Sequence, residues 1–264
     1  SGNRLEMEQR AMHEIGSQMV PAFDAMHERL ESVSEGLEAE VRPVHQNFSK
    51  RQLHSLVMCS PFAYRTYHKP LGYAGDYEMV NMILRDPYEG GSLFAKVVNL
   101  WFLSQWPARA HRNRIKHLKG FLIEECRRGA GRGRPIRVLN LGCGPAREVQ
   151  EFLAEDGLCD HAQFTLLDFN EETIRHTSGV LEELKRRYRR RTLIQVQKKS
   201  VQAVLKDGAK PVVDAPDRRY DVIYCAEEQI KEEKRKAEEA RLFLFCDTEM
   251  ITAKVWCEDV FKAV

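Results

Sequence analysis

The stretch Arg137-Val-Leu-Asn-Leu-Gly-Cys-Gly-Pro-Ala-Arg-Glu-Val149 constrains the fold more than any other part of the chain, because a short apolar strand runs directly into a Gly-x-Gly turn and then into a helix. Gly142 and Gly144 can take backbone angles closed to other residues and let a ligand approach the main chain where a side chain would block it. Pro145 suits the first turn of the helix expected over Ala146 to Leu153, whose N-terminal amides would face whatever lies over the glycines. An acidic or polar ligand group is expected there. A dinucleotide-binding turn would carry a third glycine or alanine three residues after the second, and Arg147 stands at that position, which weakens an NAD reading.

A second apolar run, Phe164-Thr-Leu-Leu-Asp168-Phe169-Asn170, ends in a carboxylate about two dozen residues beyond the glycine turn. That is where a second parallel strand would end after one crossover helix. Leu193 to Gln197 and Tyr220 to Cys225 have the composition of a third and a fourth strand. The alternative for Asp168 is a capping role for a helix over Glu171 to Arg187.

The string Leu-Asn-Leu-Gly-Cys-Gly-Pro-Ala resembles motif I of class I S-adenosylmethionine-dependent methyltransferases, whose loop cradles the methionine part of the cofactor. The resemblance implies a Rossmann-like α/β sheet and a cofactor site built from Asn140, Gly142, Cys143, Gly144, Asp168, Phe169, Val201, Gln202 and Cys225. In it Asp168 would accept both ribose hydroxyls, Phe169 would lie against the adenine face, and Val201 or Gln202 would sit near the adenine amino group.

Composition narrows the setting. With 264 residues and 43% hydrophobic content, the chain can build one substantial core plus an accessory segment. No apolar stretch reaches the length of a membrane span, and Ser-Gly-Asn-Arg at the start does not resemble a signal peptide, so the cytoplasm is the expected compartment. Seven cysteines without a C-x-x-C pair argue for reduced thiols and against a zinc site, so no metal is expected. A net charge of +2 gives no global pull toward nucleic acid. The basic run Lys185 to Arg191 reads as a solvated face at a helix C-terminus, and the glycine and arginine segment Arg127 to Pro135 reads as a mobile boundary.

Two domains are expected, residues 1–127 as a helical arm and substrate cap and residues 135–264 as the cofactor-binding domain. Met12, Ile15, Met19 and Phe23, then Met26, Leu30, Val33 and Leu37, recur at helical spacing and predict an amphipathic arm over residues 4–58, bent near Pro21, packing in the core or against a second copy in a homodimer. Helices are expected over Ser92 to Trp106 and Ala108 to Cys126. Between arm and helices lies Tyr64-Arg-Thr-Tyr-His-Lys-Pro-Leu-Gly-Tyr-Ala-Gly-Asp-Tyr-Glu-Met79, dense in side chains that binding loops use. Tyrosine packing, with Asp76 capping a helix over Tyr77 to Leu84, explains the same residues structurally.

Together with the glycine turn, this segment is similar to bacterial methyltransferases identified with synthesis of 3-hydroxypalmitic acid methyl ester, a quorum-sensing signal, over roughly residues 20 to 225. The resemblance implies a small-molecule methyl acceptor, a carboxylate needing no base. For a hydroxyl or amine acceptor His68, Tyr73 and Asp76 are the candidate catalytic residues. Leu93, Phe94, Val97, Trp101 and Phe102 offer apolar surface to an acyl chain or, equally, to helix packing.

From residue 226 the resemblance stops. A charged helix former over Ala226 to Ala240 and two short apolar runs, Leu242 to Cys246 and Ile251 to Trp256, replace the expected end of the sheet, which is therefore atypical or truncated. That departure keeps a competing class open, a non-catalytic module retaining the fold for binding or dimerisation. A nucleic-acid methyltransferase is the remaining alternative, disfavoured because Tyr224-Cys-Ala-Glu227 replaces an Asp/Asn-Pro-Pro-Tyr type motif.

Overall fold

The computed structural model describes residues 2–73, 75–200, 203–204 and 220–225. Two compact units divide the chain between His111 and Arg112. The region after Cys225, with its expected helix and two strands, lies outside the described residues, as do Val201 and Gln202.

The first unit is helical: α1 (Gly2–Glu35), α2 (Arg42–Val57), α3 (Pro61–His68), α4 (Tyr77–Leu84), α5 (Leu93–Ser104) and the start of α6 (Trp106–Gly131). The single arm expected over residues 4–58 is instead two helices. Pro21 lies inside α1 without ending it, and the chain breaks over residues 36–41. Gly16 lets α1 meet α5, since a Cβ there would lie 2.6 Å from Leu100 Cδ2. Met12 is buried, whereas Met26 and Val33 point to solvent, so the second half of the expected stripe is displaced from the core side.

Phe62, Ala63, Met82, Ile83, Val98, Trp101 and Phe102 form this unit's core. Each large apolar side chain so buried contributes about 1.5–3 kcal/mol. Asn99 is the polar hub, its Oδ1 accepting from Ser60 Oγ and Phe62 N while Nδ2 donates to Pro87 O. Val97, Trp101 and Phe102, expected as acyl-chain surface, are consumed in packing, and Trp101 Nε1 donates to Asp24 Oδ1. Leu93 and Phe94 remain exposed.

The second unit is α/β. Strands β1 (Ile136–Leu141), β2 (Ala162–Asp168), β3 (Leu193–Lys198) and β4 (Val222–Cys225) form a four-stranded sheet of order β3-β2-β1-β4, parallel throughout. Helices α7 (Arg147–Glu155) and α8 (Glu171–Tyr188) make the crossovers that parallel strands require. Alternation sorts the strand side chains between two faces. Ile136, Val138, Phe164, Leu166, Val222 and Tyr224 pack with α6, α7 and α8 residues such as Leu122, Phe152 and Leu181. Leu139, Leu141, Leu167 and Cys225 form a smaller cluster on the other face. The chain runs outward from β1 through β2 to β3 and then returns to β1's other side as β4. The order therefore reverses between β1 and β4, and such a reversal opens a crevice at the carboxyl ends of the strands.

In the glycine and arginine segment 127–135, Gly129 is buried while residues 131–135 are exposed. Ion pairs Arg127–Glu124 and Arg128–Glu125 carry α6 through it to Gly131. Gly129 allows the chain to fold back onto β1, for a Cβ there would meet Ile136 Cγ2 at 2.4 Å. Arg134 then forks onto Asp221, which also accepts Arg137 N at 2.8 Å, so the entries to β1 and β4 are tied together. The basic run at the end of α8 is largely exposed, with Lys185 paired to Glu182 and Arg190 Nε donating to Leu153 O.

Candidate functional site

The β1–α7 turn lies at the carboxyl end of the sheet beside the point where strand order reverses. Gly142 (φ 64°), Gly144 (φ 51°) and Ala146 (φ 50°) all take the left-handed conformation. For an alanine this costs roughly 1–2 kcal/mol, and buried Ala146 returns it by starting α7, its carbonyl accepting Val149 N and Gln150 N. Pro145, expected in the first helical turn, lies before that cap, and its carbonyl accepts Gln150 Nε2 at 2.6 Å.

Gly144 is held from both sides. Its N–H donates to Asp168 Oδ2 at 3.0 Å and its carbonyl accepts Thr177 Oγ1 at 2.8 Å. Cys143 N donates to Leu167 O at 2.9 Å, stitching the turn to the end of β2. Among the described residues nothing lies within 4 Å of where a Gly144 Cβ would stand, so the main chain presents an open side to them there.

Asp168 closes β2 and is 3% exposed. Its Oδ1 accepts Asn170 N at 2.8 Å and its Oδ2 accepts Gly144 N. Burial pushes its carboxyl above the usual range, against the pull of the Asn170, Gly144 and Phe169 amides. The capping alternative for Asp168 falls, because Asn170 caps α8 by accepting Thr173 N at 3.0 Å. A carboxylate offers about four lone pairs, so those three amides leave about one free to accept. Phe169, next in sequence, is 38% exposed.

Beneath the turn sits a buried polar triangle. Tyr224 Oη donates to Glu148 Oε1 at 2.7 Å, and Asn140 Nδ2 approaches both Glu148 Oε1 and Tyr224 Oη at 3.1 Å. Asn140, expected as a cofactor contact, is thus turned into the core with 0% exposure. Glu148, Tyr224 and Thr177 were not legible as site residues. The available signal was a lone amide, Asn140, within the apolar run Val138 to Leu141 of β1.

The turn brings Gly142, Cys143, Gly144, Asp168 and Phe169 together, with Cys225 at the end of neighbouring β4 and buried against the smaller core cluster. The expected catalytic residues belong to the first unit. His68 ends α3, its Nδ1 at 2.9 Å from Tyr64 O and its ring stacked on Tyr64 at 3.9 Å. Tyr73 is half-buried in the α3–α4 connection. Asp76 is buried at the start of α4. It caps α4 through Met79 N at 2.8 Å and pairs with Arg65 Nε at 2.9 Å.

Among the described residues no cluster of three or more His, Cys, Asp or Glu could hold a metal ion, and no helix is long and apolar enough to cross a membrane. No protein-family model matches the chain, and no curated protein matches it.

Proposed function

We propose that the second unit is a Rossmann-like fold that binds S-adenosylmethionine, and that the protein transfers its methyl group to a small molecule. The observation that carries this reading is the left-handed Gly142–Gly144 turn at the strand-order reversal, open at Gly144 among the described residues, with the Asp168 carboxylate bonded to Gly144 N. The residues fit the cofactor. The open side of Gly144 admits close approach, the remaining acceptor capacity of Asp168 suits a ribose hydroxyl, and Phe169 offers a ring face to adenine. Val201 and Gln202 keep their place near the adenine in this reading by resemblance alone.

When bound, S-adenosylmethionine supplies an electrophilic methyl group on a sulfonium centre. The chain's own contribution is alignment and exclusion of water, since positive charge is dispersed rather than created as the methyl group leaves. A carboxylate acceptor needs no proton removed, and the likeness of residues 64–79 to hydroxy fatty acid methyltransferases favours that acceptor class. For a hydroxyl or amine acceptor, His68 and Tyr73 stay as candidate bases and Asp76 leaves the set. In the same reading a second copy packs on the N-terminal helices, where Met26, Val33, Val44, Phe48 and Leu56 are exposed.

Calorimetric titration with S-adenosylmethionine and S-adenosylhomocysteine tests the reading, beside Gly144→Val, which fills the open side and disfavours the left-handed turn. Micromolar-range binding, weakened about tenfold or more by the substitution, is expected. Methyl transfer to long-chain hydroxy acids would then separate an enzyme from a binding module. A folded wild-type protein that binds neither ligand overturns the proposal.

A further inference from the structure

We propose that Glu148 is a positioning residue for the glycine turn, acting through Tyr224 and Asn140, and that the hold of the turn on its ligand follows the charge of Glu148. The identity of that ligand rests on the cofactor reading above, whereas the positioning itself does not.

Asn140 precedes the turn on β1, Glu148 follows it on α7, and Tyr224 comes from β4 across the strand-order reversal. The triangle of hydrogen bonds at 2.7, 3.1 and 3.1 Å therefore fixes how far apart the two ends of the turn stand. It also keys both ends to the strand that borders the crevice. Asp168 and Thr177 grip Gly144 from the β2 and α8 side. The triangle supplies the matching constraint from below. Apolar side chains of similar volume would fill this space at no loss of stability, so the polar set is explained by the geometry it imposes.

The triangle has two hydrogen-bonding states. With Glu148 ionised, Oε1 accepts from both Tyr224 Oη and Asn140 Nδ2, and every described contact is satisfied. Asn140 Oδ1, however, is buried without a hydrogen-bond partner among the described residues. Protonation turns Glu148 into a donor, and rotating the Asn140 amide then offers it that unused acceptor. The residue that rearranges lies at the root of the turn, two positions before Gly142. A change of one proton beneath the sheet is so converted into a change in the backbone that faces the ligand.

The surroundings set where this happens. Burial pushes the Glu148 carboxyl up, and the Tyr224 hydroxyl, its own backbone amide and Arg114 on α6 pull against that, while Glu151 on α7 adds to the push. Burial and then Glu148 drive Tyr224 well above the ordinary phenol range, with Cys143 contributing, so Tyr224 remains a neutral donor throughout.

The test follows the amide resonances of Gly142 and Gly144 in the whole chain across pH, for wild type, Glu148→Gln and Tyr224→Phe, with S-adenosylhomocysteine affinity measured at the same pH values. Wild-type glycine resonances are expected to titrate together with a midpoint above the ordinary glutamate value of about 4.3. Glu148→Gln abolishes that titration at Gly142. Tyr224→Phe removes a hydrogen bond to the ionised form and moves the midpoint higher still. Below the midpoint wild-type affinity falls about fivefold or more, and Glu148→Gln binds at that weaker level at every pH. A Gly142 resonance that does not titrate, or whose titration survives Glu148→Gln, overturns the proposal, whereas Gly144 also follows Asp168, to which its N–H is bonded. Absence of ligand binding with the glycine titration intact overturns the cofactor reading alone.

Discussion

Asp76 in the helical unit and Asp168 in the sheet unit look alike in the sequence: each is followed by an aromatic residue and then a helix. Both are nearly buried, at 2% and 3% exposure. Their surroundings separate them. Asp76 has spent its oxygens on the cap of α4 and on the Arg65 guanidinium, so it locks α3 to α4. Asp168 is relieved of capping by Asn170 and accepts backbone amides instead, one of them from the glycine turn. A buried carboxylate matched by an arginine and a cap is a fastening. One that neighbours have excused from those tasks, at the open end of a parallel sheet, retains acceptor capacity for something else.

Asp76→Ala gives the largest effect in this comparison. It removes an N-cap, worth about 1 kcal/mol, and leaves Arg65 facing a partly buried vacancy, so a loss of roughly 2–3 kcal/mol in unfolding free energy is expected by denaturant titration. Asp76→Asn keeps the capping oxygen and loses less. Affinity for S-adenosylhomocysteine stays at the wild-type value in both. A tenfold loss of affinity in the capped Asp76→Asn protein would return this residue to the ligand site.

Asp168→Asn reverses the pattern. One amide oxygen remains to accept backbone N–H groups, but the amide nitrogen now faces a donor, and the acceptor capacity left for a ribose hydroxyl falls. The expected result is about a tenfold or greater loss of ligand affinity, with destabilisation of about 1 kcal/mol that is smaller than for Asp76→Ala. Equal stability losses with unchanged affinity would erase the distinction between the two aspartates.

The sheet was legible where the signal is local. The apolar run to Leu141, the paired glycines and the apolar run to Asp168 each specify backbone conformation over a few residues, and β1, β2 and β3 fall where those runs predict. The α/β class with a parallel sheet followed from their spacing. The site was only half legible, because Glu148 acquires its meaning from Tyr224, 76 positions away. In sequence, a glutamate in the first turn of a helix is already explained by the helix dipole. The contacts of Arg127 to Pro135 were hidden for the same reason: Gly129 permits the close approach of Ile136, Arg127 and Arg128 pair along α6, and Arg134 reaches Asp221, none of which composition reveals. The stripe through Met26 and Val33 was read with a strict helical period, whereas α1 presents Asp24 and His27 to Trp101 in that turn.

Within the sheet unit the carboxylates divide again, and acid titration of stability separates them by sign. At the strand entries, Arg134 beside Asp221 holds its carboxyl below the usual range despite some burial. Asp160 is also held low, since hydrogen bonds from Thr192 and the Arg191 and Thr192 amides outweigh its burial. A depressed folded-state pKa means that this stability is present above the ordinary carboxylate value and is lost as pH falls through the folded one. Under and beside the turn, Glu148 and Asp168 are shifted the other way, so their ionisation costs stability as pH rises through their folded values. Asp221→Asn should therefore destabilise at neutral pH, by a small and salt-sensitive amount because the pair is exposed, with the deficit closing as pH drops below about 4. Glu148→Gln should raise the melting temperature at neutral pH, and that advantage should vanish on acidification. Should both variants instead shift stability in the same direction with pH, the division between carboxylates that fasten the strands and a carboxylate kept beneath the turn at a cost in stability would not hold.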